Sequence, residues 1–295
     1  MAQPEKPVVG VVGLGSMGLG MAQTLVAKGF VTLGFDLSAE RKTLARASKV
    51  MPADTLEMLF EESEFLVFSL PTAQDVENVV NAHIHQLTGG RRRVVIIDTS
   101  TSEPDVSRAL AQRLASLGHG FLDAPVSGGP AGAASGKLTM MIGGSDTDLA
   151  LAQSVIEAMA AKALHVGPSG AGNVAKLVNN LLAAAHMVAT SEGLKLALAA
   201  GISPESALRV LNAASGKSMI SEVHFPTWIM NDRFDSGFSM GLMRKDVRLA
   251  QEMAERAGVD NPLTSVVAKL WAGSEHLKDI DDFTRMGAFQ PNSSR

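Results

Sequence analysis

Through its first 168 residues the chain alternates short runs of β-forming residues with stretches of helical spacing, and this alternation leaves few folds open. VVGVV (8–12), VTLGF (31–35), FLVFS (65–69), RVVIID (93–98), FLD (121–123), LTMMIG (138–143) and ALHV (163–166) read as strands. Between most of them lie segments such as MGLGMAQTLVAKG and EPDVSRALAQRLASLG, whose apolar residues recur at helical intervals. A parallel strand pair needs a long crossover, usually a helix, so the pattern predicts a largely parallel sheet covered on both faces. After Gly167-Pro168 the pattern changes. Only helical segments follow, at 173–200, 204–214, 218–230, 241–257 and 262–277, with Pro204, Pro226 and Pro262 near their starts or breaks. The expected organisation is an α/β domain over 1–168 and an all-α domain over 169–295.

The first strand runs directly into GLGSMG, where Gly13, Leu14, Gly15, Ser16, Met17 and Gly18 form a G-x-G-x-x-G loop that opens a helix. Strand, glycines and helix together are the context in which this pattern binds dinucleotides. The glycines permit a tight turn and let a pyrophosphate approach the unpaired N–H groups of the helix N-terminus. The next strand ends in Asp36, eighteen residues beyond Gly18. A carboxylate there accepts hydrogen bonds from an adenosine ribose and repels a 2′-phosphate, which favours NAD. Arg41 and Lys42 follow closely and could serve a phosphate, so NADP stays open.

A second glycine-rich stretch, DAPVSGGPAGAASG at 123–136, follows a later strand. Ser127, Gly128 and Gly129 could offer a hydroxyl and successive N–H groups to an anion such as a carboxylate, and a flexible crossover fits the spacing equally well.

The run GNVAKLVNNLLAAAHMVAT is more puzzling, because from Val174 to Ala189 its only polar side chains are Lys176, Asn179, Asn180 and His186. A helix this apolar on every side is expected to be buried, and polar groups are costly there unless paired. At about 3.6 residues per turn Asn179 and Asn180 project to the same side as Lys176. A buried ammonium can have its pKa drawn towards neutrality, which suits proton transfer. The plainer alternative is a lysine that snorkels to water beside asparagines that satisfy backbone groups.

Composition narrows the classes. Hydrophobic residues make up 46% and charged residues 19%, as in ordinary globular proteins. A net charge of −4 offers no footprint for nucleic acid, and with Cys 0 both disulfides and cysteine zinc sites are excluded. MAQPEKP lacks the basic start of a signal peptide, and the apolar run 174–189 is shorter than a membrane span. A cytoplasmic protein without a membrane segment is expected.

GLGSMG, DAPVSGG, GKLTMMIGG and GAGNVAKLVNN occur in this order and with this spacing in the β-hydroxyacid dehydrogenases, and from Val8 to about Phe283 the chain resembles that family. The resemblance implies an α/β Rossmann-like N-terminal domain followed by an all-α C-terminal domain, joined by a long interdomain helix. It implies an NAD(P)-dependent oxidoreductase that interconverts a small β-hydroxyacid and its semialdehyde or keto acid. The acid would be of the 3-hydroxyisobutyrate, L-serine, D-glycerate or L-threonate type. Lys176 would be the catalytic acid/base, Asn179 or Asn180 would help bind substrate, and Ser127, Gly128 and Gly129 would grip its carboxylate. Thr101 matches a position near the nicotinamide, Leu70 and Pro71 a loop that lines the cofactor, and Lys245 a lysine that closes over it.

Departures from the family are few. Thr24 stands where its first helix commonly has asparagine, which puts one polar contact in doubt. Phe35-Asp36 replaces the Asn-Arg pair of NADP-preferring members. His186 matches no family role and reads as a packed histidine. Imine reductases share the architecture but usually lack the lysine, and decarboxylating 6-phosphogluconate dehydrogenase has a far larger C-terminal domain. A dinucleotide-binding sensor without chemistry is the remaining alternative.

Other motifs have plainer readings. SGKS at 215–218 lacks the glycine a phosphate loop needs at position 211, which is leucine. Arg91, Arg92 and Arg93 read as a solvated turn, and His83 and His85 point to different sides of a helix, so no metal is expected. The apolar C-terminal helices suggest a homo-oligomer, dimer or tetramer.

Overall fold

Val9, Val11 and Val12 are buried, so the first strand lies inside a sheet and not on its edge. The computed structural model describes residues 6–88 and 92–289, so Arg91 and the start of the N-terminal segment lie outside the described residues. The elements begin with β1 (Val8–Val12), α1 (Ser16–Ala27), β2 (Val31–Phe35), α2 (Ala39–Ala47), β3 (Met51–Pro52), α3 (Leu56–Glu62), β4 (Phe65–Phe68) and α4 (Ala73–His83). They continue with β5 (Val95–Asp98), α5 (Pro104–Ser116), β6 (Gly120–Asp123), β7 (Val126–Ser127), α6 (Gly129–Ser135), β8 (Leu138–Gly143), α7 (Asp146–Met159) and β9 (Ala160–Gly167). The two strands missed in the sequence, β3 and β7, have two residues each, too few to show a period.

Six strands lie in the order β3-β2-β1-β4-β5-β6, all parallel. β8 then runs antiparallel to β6 and β7, and β9 lies parallel beside it. The order reverses between β1 and β4, which leaves a crevice at their carboxyl ends where ligands of such sheets bind. Side chains alternate across the sheet. On β5, Val95 and Ile97 join a core with Met21, Leu25 and Leu122, while Ile96 joins the opposite one with Phe60, Phe68 and Leu114.

The chain divides into two compact units, Met1–Lys176 and Leu177–Arg295, and the division falls within a single helix, α8 (Ala171–Ala199). The apolar run 174–189 lies within this longer helix, which by length and composition alone could cross a membrane, a test that core helices also pass. Leu177, Ala184, Met187 and Leu194 are nonetheless core residues of the second unit. Nor is α8 buried all round: Val178 and Leu182 are 44% and 52% exposed. His186 is exposed too, not packed, because Ala184 and Met187 on either side take the inward positions.

Among the described residues, the rest of the second unit comprises α9 (Pro204–Ala213), a π-helix (Ile220–Ile229), α10 (Met240–Arg256), α11 (Pro262–Ala272) and a 3-10 helix (Phe283–Gly287). Trp271, fully buried, donates its indole N–H to the carbonyl of Ala184 at 3.3 Å. The helix expected to 277 stops at Ala272, since Arg244 takes over the carbonyls of Trp271, Ser274 and Leu277. The segment expected as a helix at 218–230 is wound with i→i+5 bonds, such as Met230 N–H to the Phe225 carbonyl at 2.9 Å. Pro226, inside it, has no N–H for the carbonyl of Ser221 five residues back. Asn212 supplies one instead, donating from Nδ2 to that carbonyl at 3.1 Å.

Candidate functional site

The loop after β1 is tight behind and open in front. A Cβ at Gly13 would overlap the carbonyl oxygen of Ser69, and one at Gly18 would overlap the carbonyl oxygen of Gly13. A Cβ at Gly15 would meet nothing within 4 Å. Gly15 caps α1, and no side chain caps its first turn. Main-chain N–H groups therefore face open space at a helix start, and a dinucleotide pyrophosphate fits such a cradle.

Asp36 stands at the edge of this loop, where Oδ2 accepts the Leu14 N–H at 2.7 Å and Oδ1 the Ser38 N–H at 2.8 Å. Those bonds aim the carboxylate without using all its lone pairs, so two ribose hydroxyls can still donate to it. Lys42 sits over the Phe35 ring, its Nζ 4.7 Å from the centroid. Leu70 closes the other side of Gly13, with Cδ2 3.1 Å from where a Cβ would stand, and donates its N–H to Ser100 Oγ at 3.0 Å. Pro71 follows, exposed, and Thr101 lies next to Ser100 in the loop after β5. The first unit thus gathers the glycine loop, Asp36 and Leu70 at the carboxyl end of the sheet, and Thr101 beyond β5 belongs to the same edge.

Lys176, 7% exposed, is carried by α8, and the start of that helix is fastened by two residues that sequence reasoning gave no role. Asp123, at the end of β6, accepts the Gly170 N–H at 2.7 Å on Oδ1 and the Asn173 N–H at 2.9 Å on Oδ2. Asn173, one turn before Lys176, accepts the Ser102 N–H at 2.9 Å and donates to Ser107 Oγ at 3.0 Å. The lysine helix is therefore tied to the ends of both β5 and β6. Burial pushes the Asp123 carboxyl above the usual carboxylate range, against the pull of these amides. The signal in the sequence was an acid closing an apolar strand just before the glycine-rich stretch.

Replacement of Asp123 tests this fastening. An asparagine accepts with one atom only, so D123N strands an N–H at the helix start and should cost about 1–3 kcal/mol in urea unfolding. A carboxyl with a raised folded value holds more protons folded than unfolded. Its contribution is complete below the unfolded value of about 3.9 and is lost as pH rises through the folded one. D123N should therefore show a more positive slope of unfolding free energy against pH over that window. Parallel profiles for the two proteins would contradict it.

Ser127 ends β7, and Gly128 and Gly129, with φ of 126° and 61°, lead into α6. Gly128 is exposed, so its main chain is open to solvent.

The second unit holds its own polar group. Asn180, buried, donates from Nδ2 to Asp246 Oδ2 at 2.6 Å and accepts from the exposed Asn179 at 3.1 Å. Lys245 Nζ lies 3.6 Å from Asp246 Oδ1. Asp246 was missed, although it interrupts the apolar stripe of Met243, Val247 and Ala250 on α10, a place for a carboxylate only when it is partnered. Away from these groups, Arg93 pairs with Asp148 at 2.6 Å and Arg92 with Glu64 at 3.2 Å.

Comparison with known proteins matches both halves of the chain. Residues 8–167 fit the family model described as the NAD binding domain of 6-phosphogluconate dehydrogenase. Residues 170–288 fit that of the NAD-binding domain of NADP-dependent 3-hydroxyisobutyrate dehydrogenase. A 2-(hydroxymethyl)glutarate dehydrogenase of Eubacterium barkeri is 33% identical over 274 residues, 92% of this chain and 91% of its own. A solved 3-hydroxyisobutyrate dehydrogenase of Mycobacterium tuberculosis, studied with L-serine, superposes with a TM-score of 0.88. It is 32% identical, with 95% of this chain and 98% of that one covered. An imine reductase of Streptomyces aurantiacus, 20% identical over 95% of this chain and 98% of its own with a TM-score of 0.65, shares the fold alone.

Proposed function

Because the chain belongs to the β-hydroxyacid dehydrogenase family, we propose that it oxidises a small β-hydroxyacid, or reduces the matching semialdehyde or keto acid, with Lys176 as acid/base. The observation behind this reading is Lys176 itself, buried on a helix whose start Asp123 and Asn173 fasten to the ends of β5 and β6. A flexible snorkelling lysine needs no such mounting.

The nicotinamide dinucleotide, held by Gly13 to Gly18 and Asp36 and lined by Leu70, Pro71 and Thr101, supplies the hydride acceptor or donor. In oxidation, neutral Lys176 takes the proton of the substrate hydroxyl. In reduction, the ammonium of Lys176 returns it to the carbonyl oxygen. Ser127, Gly128 and Gly129 hold the carboxylate through hydroxyl and main-chain N–H, so the reacting carbon has one orientation. Asn179 and Asn180, one turn beyond Lys176, direct the substrate hydroxyl, and Lys245 contacts the dinucleotide. Asp246 orients Asn180. The functional division follows 1–168 for the dinucleotide and 169–295 for substrate and assembly.

Asp36 supports NAD, since a 2′-phosphate beside its carboxylate would meet like charge, and stacking on Phe35 occupies the Lys42 ammonium. A cytoplasmic, homo-oligomeric enzyme, dimer or tetramer, completes the reading. The exposed Val178, Leu182 and Leu196 on α8 support the assembly.

The test is a reduction screen with NAD+ and NADP+ over 3-hydroxyisobutyrate, L-serine, D-glycerate, L-threonate and 2-(hydroxymethyl)glutarate. Turnover of at least one acid is expected, with kcat/KM at least roughly tenfold higher for NAD+ than for NADP+. No turnover of any acid with either cofactor would sink the function, and a preference for NADP+ would sink the role of Asp36.

A further inference from the structure

The helix that starts at the dinucleotide loop and the helix that starts at the carboxylate loop touch through one buried hydroxyl. Thr24, on α1 and 4% exposed, donates from Oγ1 to the carbonyl oxygen of Ala133 on α6 at 2.7 Å. That carbonyl is among the last four of α6, which a helix cannot satisfy by itself. Lys137 N–H, its intrahelical candidate, goes instead to Gly132 at 2.9 Å.

The packing around this bond leaves little room for adjustment. A Cβ on Gly20, one turn earlier on α1, would stand 3.0 Å from the Cβ of Ala133. Where α6 ends at Gly136, with φ of 65°, a Cβ would stand 3.0 Å from the Thr24 methyl carbon. Methyl and hydroxyl of Thr24 thus meet the end of the same short helix from one side.

We infer that Thr24 is a positioning residue for the acid end of the substrate: its bond to Ala133 sets α6, and with it Ser127–Gly129, against the helix that begins at Gly13–Gly18. This rests on the proposed carboxylate role of Ser127–Gly129. The residue touches neither substrate nor dinucleotide. The threonine hydroxyl by itself reaches the orphaned carbonyl.

Thr24→Val keeps the shape and removes the donor, Thr24→Ser keeps the donor, and Thr24→Ala removes it without steric demand should T24V not fold. Wild-type protein is first assayed with the five acids named above; if it turns over none of them, the functional reading fails whatever Thr24 does. On the best acid, KM for the acid in T24V should rise roughly tenfold, the loss expected when a buried acceptor is left unpaired. KM for NAD+ and kcat should stay within about twofold, and T24S should restore KM for the acid. A merely structural threonine would lower the melting temperature of T24V with no change in KM for the acid. That result, or an equal rise in both KM values, overturns the inference and leaves the dehydrogenase reading standing.

Discussion

Lys176→Ala is expected to lower kcat by about 10²–10⁴-fold, the usual contribution of a positioned acid or base. The dissociation constant of NAD+ should change by less than about threefold. The two effects separate because the lysine is mounted apart from the glycine loop: α8 is fastened by Asp123 and Asn173, whereas the loop is shaped by Gly13, Gly18 and Asp36. Lys176→Arg should not restore turnover, since a guanidinium keeps its proton and cannot accept one from a hydroxyl. Steady-state rates beside a fluorescence titration with NADH make the comparison. Survival of turnover in K176A would remove the lysine from the chemistry, whereas NADH binding without turnover of any acid by the wild type would favour the sensor alternative.

Gly18→Ala has an effect of comparable size by a different route. The new methyl would overlap the main-chain oxygen of Gly13 and stand 3.2 Å from the Ser69 Cβ. Neither partner is the end of a flexible side chain, so relief requires the first turn of α1 to move from the end of β1. Overpacking of this kind costs about 1–3 kcal/mol, and NAD+ affinity should fall by roughly 100-fold as the N–H groups leave their places. Gly15→Ala provides the contrast. Its φ is −61° and its methyl would enter empty space, so stability should hold within about 0.5 kcal/mol. NAD+ affinity should still drop, by about tenfold or more, because the proposed pyrophosphate site takes in that space. Thermal melts with NAD+ titrations decide it. Unimpaired binding in both variants would refute the assignment of the loop.

The parts of the candidate site that repeat a local chemical pattern were legible in the sequence. GLGSMG announced itself through the strand before it and the helix after it, and Asp36 through its position at the end of the next strand. The long strands and the change of character near 168 followed from periodicity. What escaped has a common cause: it depends on partners distant in the chain. Asp123 and Asn173 are 50 residues apart, Asn180 and Asp246 66, and Thr24 and Ala133 109. No spacing rule links such pairs before the fold does. His186 was misjudged for the opposite reason: an apolar neighbourhood along the chain gave no hint which way the helix turned it.

The π-helix at Ile220–Ile229 extends this lesson to chain length. Its inward residues Ser221, Phe225 and Ile229 recur every four positions, a repeat that would drift about 40° per step around an α-helix. The wider winding absorbs the drift, at the expense of a carbonyl that Pro226 leaves to Asn212. Loss of one residue from this segment would return it to α-winding and turn Ile229 out of the core, whereas a surface loop would absorb the same loss unnoticed. The number of residues here is thus as constrained as their identity, and an insertion or deletion between 220 and 229 acts as a core mutation although it changes no core side chain.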